Sequence, residues 1–158
     1  MTIIYILLAV AITALLLWAY FTAQRLNRLH IRTDSALQNL QAALDLRASL
    51  AEALVPELTA VARSATALPL AHGQYDRRAA QERRLSEALS VQVAGQGVLP
   101  APLIEANARV ELAHRFYNDA VTTTRALRTR PLVRVCRLGG TAPLPDYFEL
   151  AYLEVGEP

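Results

Sequence analysis

From Ile3 to Phe21 the chain runs through 19 residues without a charge, a glycine or a proline. A helix that crosses the hydrocarbon core of a bilayer takes roughly 20 apolar residues at about 1.5 Å each. Lipid offers no water to satisfy backbone groups, so a lone crossing segment has to be helical. Trp18 and Tyr20 stand near one end of the run and Tyr5 near the other, where amphipathic rings favour the headgroup level. The run therefore predicts a transmembrane anchor over residues 1–23, with the bilayer contacted through residues 3–23.

The flanks predict its direction. Only Met1 and Thr2 precede the run, whereas Arg25, Arg28 and Arg32 follow it, with His30 among them and no acid before Asp34. The side richer in Lys and Arg stays cytoplasmic. The expectation is a single-pass protein of the bacterial inner membrane, N-terminus outside and C-terminal domain in the cytoplasm. A cleaved signal peptide would carry a positive n-region, a shorter apolar core and an Ala-x-Ala site. Here the n-region is uncharged, the run is long, and Ala19 to Gln24 holds no such site. The anchor is expected to be retained.

The remaining residues suffice for one small domain. Aromatic residues make up only 6% of the chain, too few for a sizeable β core, while Ala, Leu, Arg, Gln and Glu favour helix. The fold class expected is all-α. From Leu26 through Leu40, Leu44, Leu54, Leu58, Val61 and Leu68 the apolar residues recur at steps of three and four, the mark of a helix face. Pro56 interrupts this stripe without shifting its phase, which predicts a kink rather than a break. A second helix is expected from about Gln74 or Asp76 to Val93, with Leu85 and Leu89 inward and Arg77, Arg78 and Arg83 towards water. A third should start near Pro102 and stop by Pro131, its stripe running through Leu103, Ala106, Val110, Tyr117, Thr124 and Leu127. Together residues 24–131 predict a cytoplasmic antiparallel three-helix bundle with a long Pro-kinked first helix, packed in the manner of a coiled coil. Residues 132–158 read as an extended C-terminal tail. In this arrangement the third helix ends far from the bilayer.

All 16 basic side chains are Arg, a pattern that GC-rich codon usage produces. A lone cysteine, Cys136, excludes an internal disulfide framework and suits a reducing compartment.

No constellation converges on chemistry. Glu111-Leu-Ala-His114 puts a carboxylate and an imidazole on one helix face, but bundle di-metal sites use two such pairs with two further glutamates. Glu52, Glu57, Glu82 and Glu105 do not form a second copy, so the pair reads as a solvated face; the alternative is a membrane-associated metal enzyme or hydrolase using Glu111 and His114. Cys136 reads as a small hydrophobe and not as a nucleophile. Gly95-x-Gly97 and Gly139-Gly140 read as loops. Catalytic, cofactor-binding and metal-binding residues are therefore expected to be none. Tyr117-Asn118 is expected in the core or at a recognition position. Arg125, Arg128, Arg130, Arg134 and Arg137 form a run with no acid between Asp119 and Asp146. It could take the acidic tail, an acidic protein or anionic lipid; nucleic acid is not expected, since no reading motif accompanies the charge.

Leu26-x-x-Leu29, Asp34-x-Ala36, Leu44-x-x-Arg47-x-x-Leu50, Leu54-Val55, Arg115-Phe-Tyr-Asn-Asp-Ala-Val121, Pro131 and Pro145-x-Tyr-Phe-Glu149 together resemble the LemA family. The sequence departs from the family's pattern in a shorter middle, a later helix-one proline at Pro56, Leu37 in place of a tryptophan and no second tyrosine-asparagine pair near Thr124-Arg125. The resemblance implies a membrane-anchored helical bundle with no accepted catalytic residues.

The expected function is thus a membrane-tethered, non-enzymatic helical scaffold or adaptor that binds a partner protein, with homo-oligomerisation or anionic-lipid binding and membrane shaping as alternatives. A phosphatase reporter active only outside the cytoplasm, fused after Pro158, should be silent. Strong activity would invert the orientation.

Overall fold

The structure, a computed structural model, describes residues 1–71, 73–136, 138 and 143–150, and for Gln96 the backbone only. Among the described residues five α-helices follow in order: α1 (Thr2–Leu54), α2 (Thr59–Thr66), α3 (Tyr75–Gln96), α4 (Ala101–Arg128) and α5 (Pro131–Val135), with a 3-10 turn over Pro56–Leu58 between α1 and α2. No strand occurs among the described residues. The chain is all-helical, and α1 carries an exposed N-terminal stretch long and apolar enough to cross a membrane. Its 53 residues include no glycine or proline, so nothing interrupts the backbone ladder before Pro56.

At Pro56 the structure departs from the expected kink. A proline has no N–H for the carbonyl four residues earlier, and its ring drives the preceding residue out of the helical region. Val55 accordingly sits at φ −133°, ψ 86°. The chain then reverses. Arg63 Nε donates to Glu52 Oε1 at 2.7 Å, although 11 residues of straight helix would separate their Cα atoms by about 16 Å. The unbroken phase across Pro56 has a simple cause: Leu58, Ala62 and Ala65 of the returning segment face the same core as Ala48, Ala51 and Val55. Two antiparallel segments that share a core preserve the stripe as well as one straight helix does.

Two compact units can be distinguished, one of residues 1–34 and 120–146, the other of residues 35–119 and 147–158. In the second, Leu85, Leu89 and Leu103 complete the core around Ala48, Ala51, Leu58, Ala62 and Ala65. The small alanines on α1 and α2 allow close helix approach, and the leucines of α3 and α4 fill the space. Gly97 ends α3 at φ 89°, its N–H donating to Val93 O, a left-handed stop that a glycine adopts without strain. Gly95, expected in a loop, lies inside α3. A second packed group is aromatic. Tyr117, fully buried, meets Tyr75 edge-to-face, and Tyr75 meets Phe148 in the same way.

In the first unit, Leu26 and Leu127 bury against Val133 of α5, with Leu29 and Leu138 alongside. Thr33 Oγ1 donates to Leu29 O, which leaves Thr124 Oγ1 to donate to Thr33 Oγ1 at 3.0 Å. The end of α4 therefore lies beside the part of α1 that directly follows the apolar run, not far from it as the kinked arrangement required. The start of the tail is also corrected. Residues 131–135 form a helix because Arg130 is held extended at φ −60°, ψ 135° and Pro131 occupies the first helical position. Gly139, Gly140 and residues 151–158 lie outside the described residues.

Tyr117→Ala should cost about 3–5 kcal/mol of stability, as the loss of a fully buried aromatic ring does. Chemical denaturation of the detergent-solubilised protein measures it, and an unchanged midpoint would place Tyr117 outside the core.

Candidate functional site

The most polar part of the second unit is its interior. Arg47 on α1 and Arg78 and Glu82 on α3 are each no more than 3% exposed. Arg78 stands four residues before Glu82 on one face of α3, and its Nε donates to Glu82 Oε1 at 2.8 Å. Arg47 reaches the other carboxylate oxygen at 2.5 Å. Arg78 also donates to Asp45 Oδ1 and to the backbone carbonyl of Leu68, while Arg47 reaches Ser86 Oγ and Asn107 Oδ1. Two cations and two carboxylates balance: each guanidinium divides its N–H groups among several partners, and Glu82 takes one arginine on each oxygen, which makes such burial tolerable. The expectation that Arg78 faces water is thereby corrected. Its position four before Glu82 and in step with Leu85 and Leu89 was the available signal. The network joins α1, α3, α4 and the segment that follows α2.

The second cluster surrounds Phe148. Asn118 on α4 pairs both backbone groups of that residue: its Nδ2 donates to Phe148 O at 3.1 Å and its Oδ1 accepts from Phe148 N at 3.2 Å. A side-chain amide here does the work of a neighbouring strand. His114, one turn earlier, places Nε2 2.6 Å from the same carbonyl. A carbonyl oxygen only accepts, so Nε2 carries the proton in this contact. The ring of Phe148 packs edge-to-face on His114. Asn118, a poor helix former by itself, is thus held in α4 by a tertiary partner 30 residues away.

These contacts place the residues singled out in the sequence. Tyr117 is buried and its hydroxyl donates to that of Tyr75 at 3.3 Å. Glu111 and His114 both line an open groove on α4 with Ala108, Leu112, Arg115 and Asn118, but the His114 ring is occupied with the tail. Among the described residues no group of three His, Cys, Asp or Glu side chains is arranged to hold a metal ion. In the first unit, Arg125 donates to Pro145 O at 2.8 Å and lies 3.4 Å from Asp146, and Arg128 donates to Pro143 O at 2.9 Å. Two members of the arginine run therefore hold the tail, mainly through its carbonyls. Arg130, just before α5, and Arg134, within it, are exposed, and Arg25, Arg28 and Arg32 are exposed on α1. Arg137 lies outside the described residues, as does His72. Cys136 is a free, exposed thiol.

One surface was not foreseen. Ile104, Leu112 and Phe116 stand exposed on α4, and with exposed Ala108 they run at steps of four along one side of the helix. Glu105, Arg109, Glu111, Arg115 and Asp119 rim this stripe with both signs of charge and are exposed as well. In the sequence the stripe is masked by the stronger one through Leu103, Ala106, Val110 and Tyr117.

Compared with protein-family models, curated proteins and solved structures, the chain matches none.

Removing Glu82 strands the buried Arg47 guanidinium and leaves Arg78 only its pair with the half-exposed Asp45, whereas removing Glu52 breaks only its pair with the 70%-exposed Arg63 side chain. Glu82→Ala should lose about 3–5 kcal/mol and Glu52→Ala less than about 1 kcal/mol. Equal losses in urea unfolding would deny the network its structural role.

Proposed function

We propose that this chain is a membrane-tethered, non-enzymatic helical scaffold that docks a partner protein on the outer face of α4. The observation that carries the reading is the exposed stripe of Ile104, Ala108, Leu112 and Phe116 with its charged rim. Such a rimmed apolar patch favours association with another protein. An α-helical face presents anchors at this spacing to the apolar side of a second helix, and the mixed rim matches an amphipathic partner helix with charges of both signs. Apart from Arg47 Nε, the polar atoms of the buried network in the second unit are occupied by one another and by backbone, which supports the same view. Arg47, Arg78, Glu82, His114 and Asn118 are spent on holding the fold.

The LemA resemblance belongs to this proposal. Two of its motif segments, at Asn118 and Phe148, meet each other, and a third supplies Arg47 to the buried network. A structural role for the motifs suits a scaffold family. The tether is residues 3–21, with the domain at the cytoplasmic face of a bacterial inner membrane, on the strength of Arg25, Arg28 and Arg32.

A photo-crosslinking residue at Ala108 of the full-length protein, activated in cells, should trap one heterologous partner. Leu112→Glu with Phe116→Glu should abolish that product while leaving the melting temperature within about 2 °C, because both side chains are exposed. A trapped second copy of this chain, or a product indifferent to the double substitution, would overturn the reading.

A further inference from the structure

The first unit carries a second surface, and its place along α1 says what covers it. Val133 anchors the five-residue α5 on Leu26 and Leu127. Leu26 follows Phe21, the last residue of the apolar run, by five positions. That is about 7.5 Å along the helix axis, and the headgroup layer on each side of the hydrocarbon core is roughly 5–8 Å thick. A segment packed on Leu26 therefore sits at headgroup depth once residues 3–21 span the bilayer.

The chemistry of α5 suits that depth. Leu132 and Val135 are three residues apart, share a face turned away from Val133, and are 61% and 81% exposed. Exposed Arg130 and Arg134 flank them, and exposed Arg25 and Arg28 lie on the adjoining part of α1. Over residues 1–34 and 120–146 the sequence holds eight arginines, at positions 25, 28, 32, 125, 128, 130, 134 and 137, against two acids, Asp34 and Asp146. Apolar side chains beside arginines, next to a membrane-spanning helix, form the pattern of an interfacial contact with anionic lipid.

We propose that α5, with Arg130, Arg134, Arg25 and Arg28, is a membrane foot: Leu132 and Val135 enter the boundary between headgroups and acyl chains while the arginines bind anionic lipid phosphates. The foot rests on the reading of residues 3–21 as a retained anchor. It is distinct from the α4 surface and holds the first unit in a set orientation at the bilayer.

The single cysteine provides the probe, since Cys136 directly follows α5 and is exposed. A nitroxide on Cys136 of the full-length protein is read by power saturation with oxygen and a water-soluble nickel chelate. The vesicles are phosphatidylcholine with 30% phosphatidylglycerol, or phosphatidylcholine alone, and their flotation reports the anchor separately. In the anionic vesicles the label should be protected from nickel and accessible to oxygen. Arg130→Gln with Arg134→Gln should lower the ratio of docked to undocked protein about 30-fold, because each arginine near an anionic surface contributes about 1 kcal/mol. Flotation with a fully nickel-accessible label would overturn the foot and leave the anchor standing. Equal protection in neutral vesicles would overturn the assignment to anionic lipid. Failure to float would overturn the anchor and the foot together.

Discussion

A carboxylate shared by two buried guanidiniums governs the second unit. Glu82 receives Arg78 on one oxygen and Arg47 on the other, and neither arginine has access to solvent. A buried charge is tolerated only while its partner is present, so α1 and α3 have one register at which they can pack. A shift of α3 by one turn would put Ser86 or Arg78 where Glu82 meets Arg47 and leave a charge without a counter-ion. The contacts from Arg78 to the Leu68 carbonyl and from Arg47 to Asn107 extend the same constraint to the segment after α2 and to α4. Such a network contributes little net stability compared with an apolar core, and its role here is to select one packing.

The aromatic group at the other polar cluster works by a related rule. Phe148 belongs to a segment with no helix or strand of its own, and its backbone groups need partners once the ring is buried. Asn118 satisfies both groups and His114 adds a donor to the carbonyl. The tail is thus attached by a buried ring and by its main chain. Arg125 and Arg128 bind neighbouring tail carbonyls in the other unit by the same means. Asn118, Arg125 and Arg128, which look like parts of a recognition surface in one dimension, are fastenings of the C-terminal segment. The surfaces left over are apolar ones with charged rims, on α4 and on α5.

Much of the helical content was legible in the sequence. The uninterrupted composition from Thr2 to Leu54 and the stripe through Leu103, Ala106, Val110 and Tyr117 each rest on local propensity or on period. The apolar run likewise follows from composition, because hydrophobicity and length are additive along the chain. What depended on tertiary structure was direction and pairing. Periodicity records which side of a helix is apolar, and a segment that turns back on the same core keeps that side, so the reversal at Val55 and Pro56 left no trace in the phase. The helical α5 was hidden for a different reason: five residues that begin with a proline are too few to show a period, and Pro131 with the packing of Val133 on Leu26 decided for a helix. Nor does a sequence reveal whether a charge in step with an apolar stripe is an interruption or a member of the core. Arg47, Arg78 and Glu82 are core because Glu82 pairs with Arg78 on its own helix and with Arg47 across on α1, and Asn118 stays in α4 because Phe148 meets it from 30 residues away. Local energetics determined the elements of this protein; the counter-ions and backbone partners brought together by packing determined their order in space.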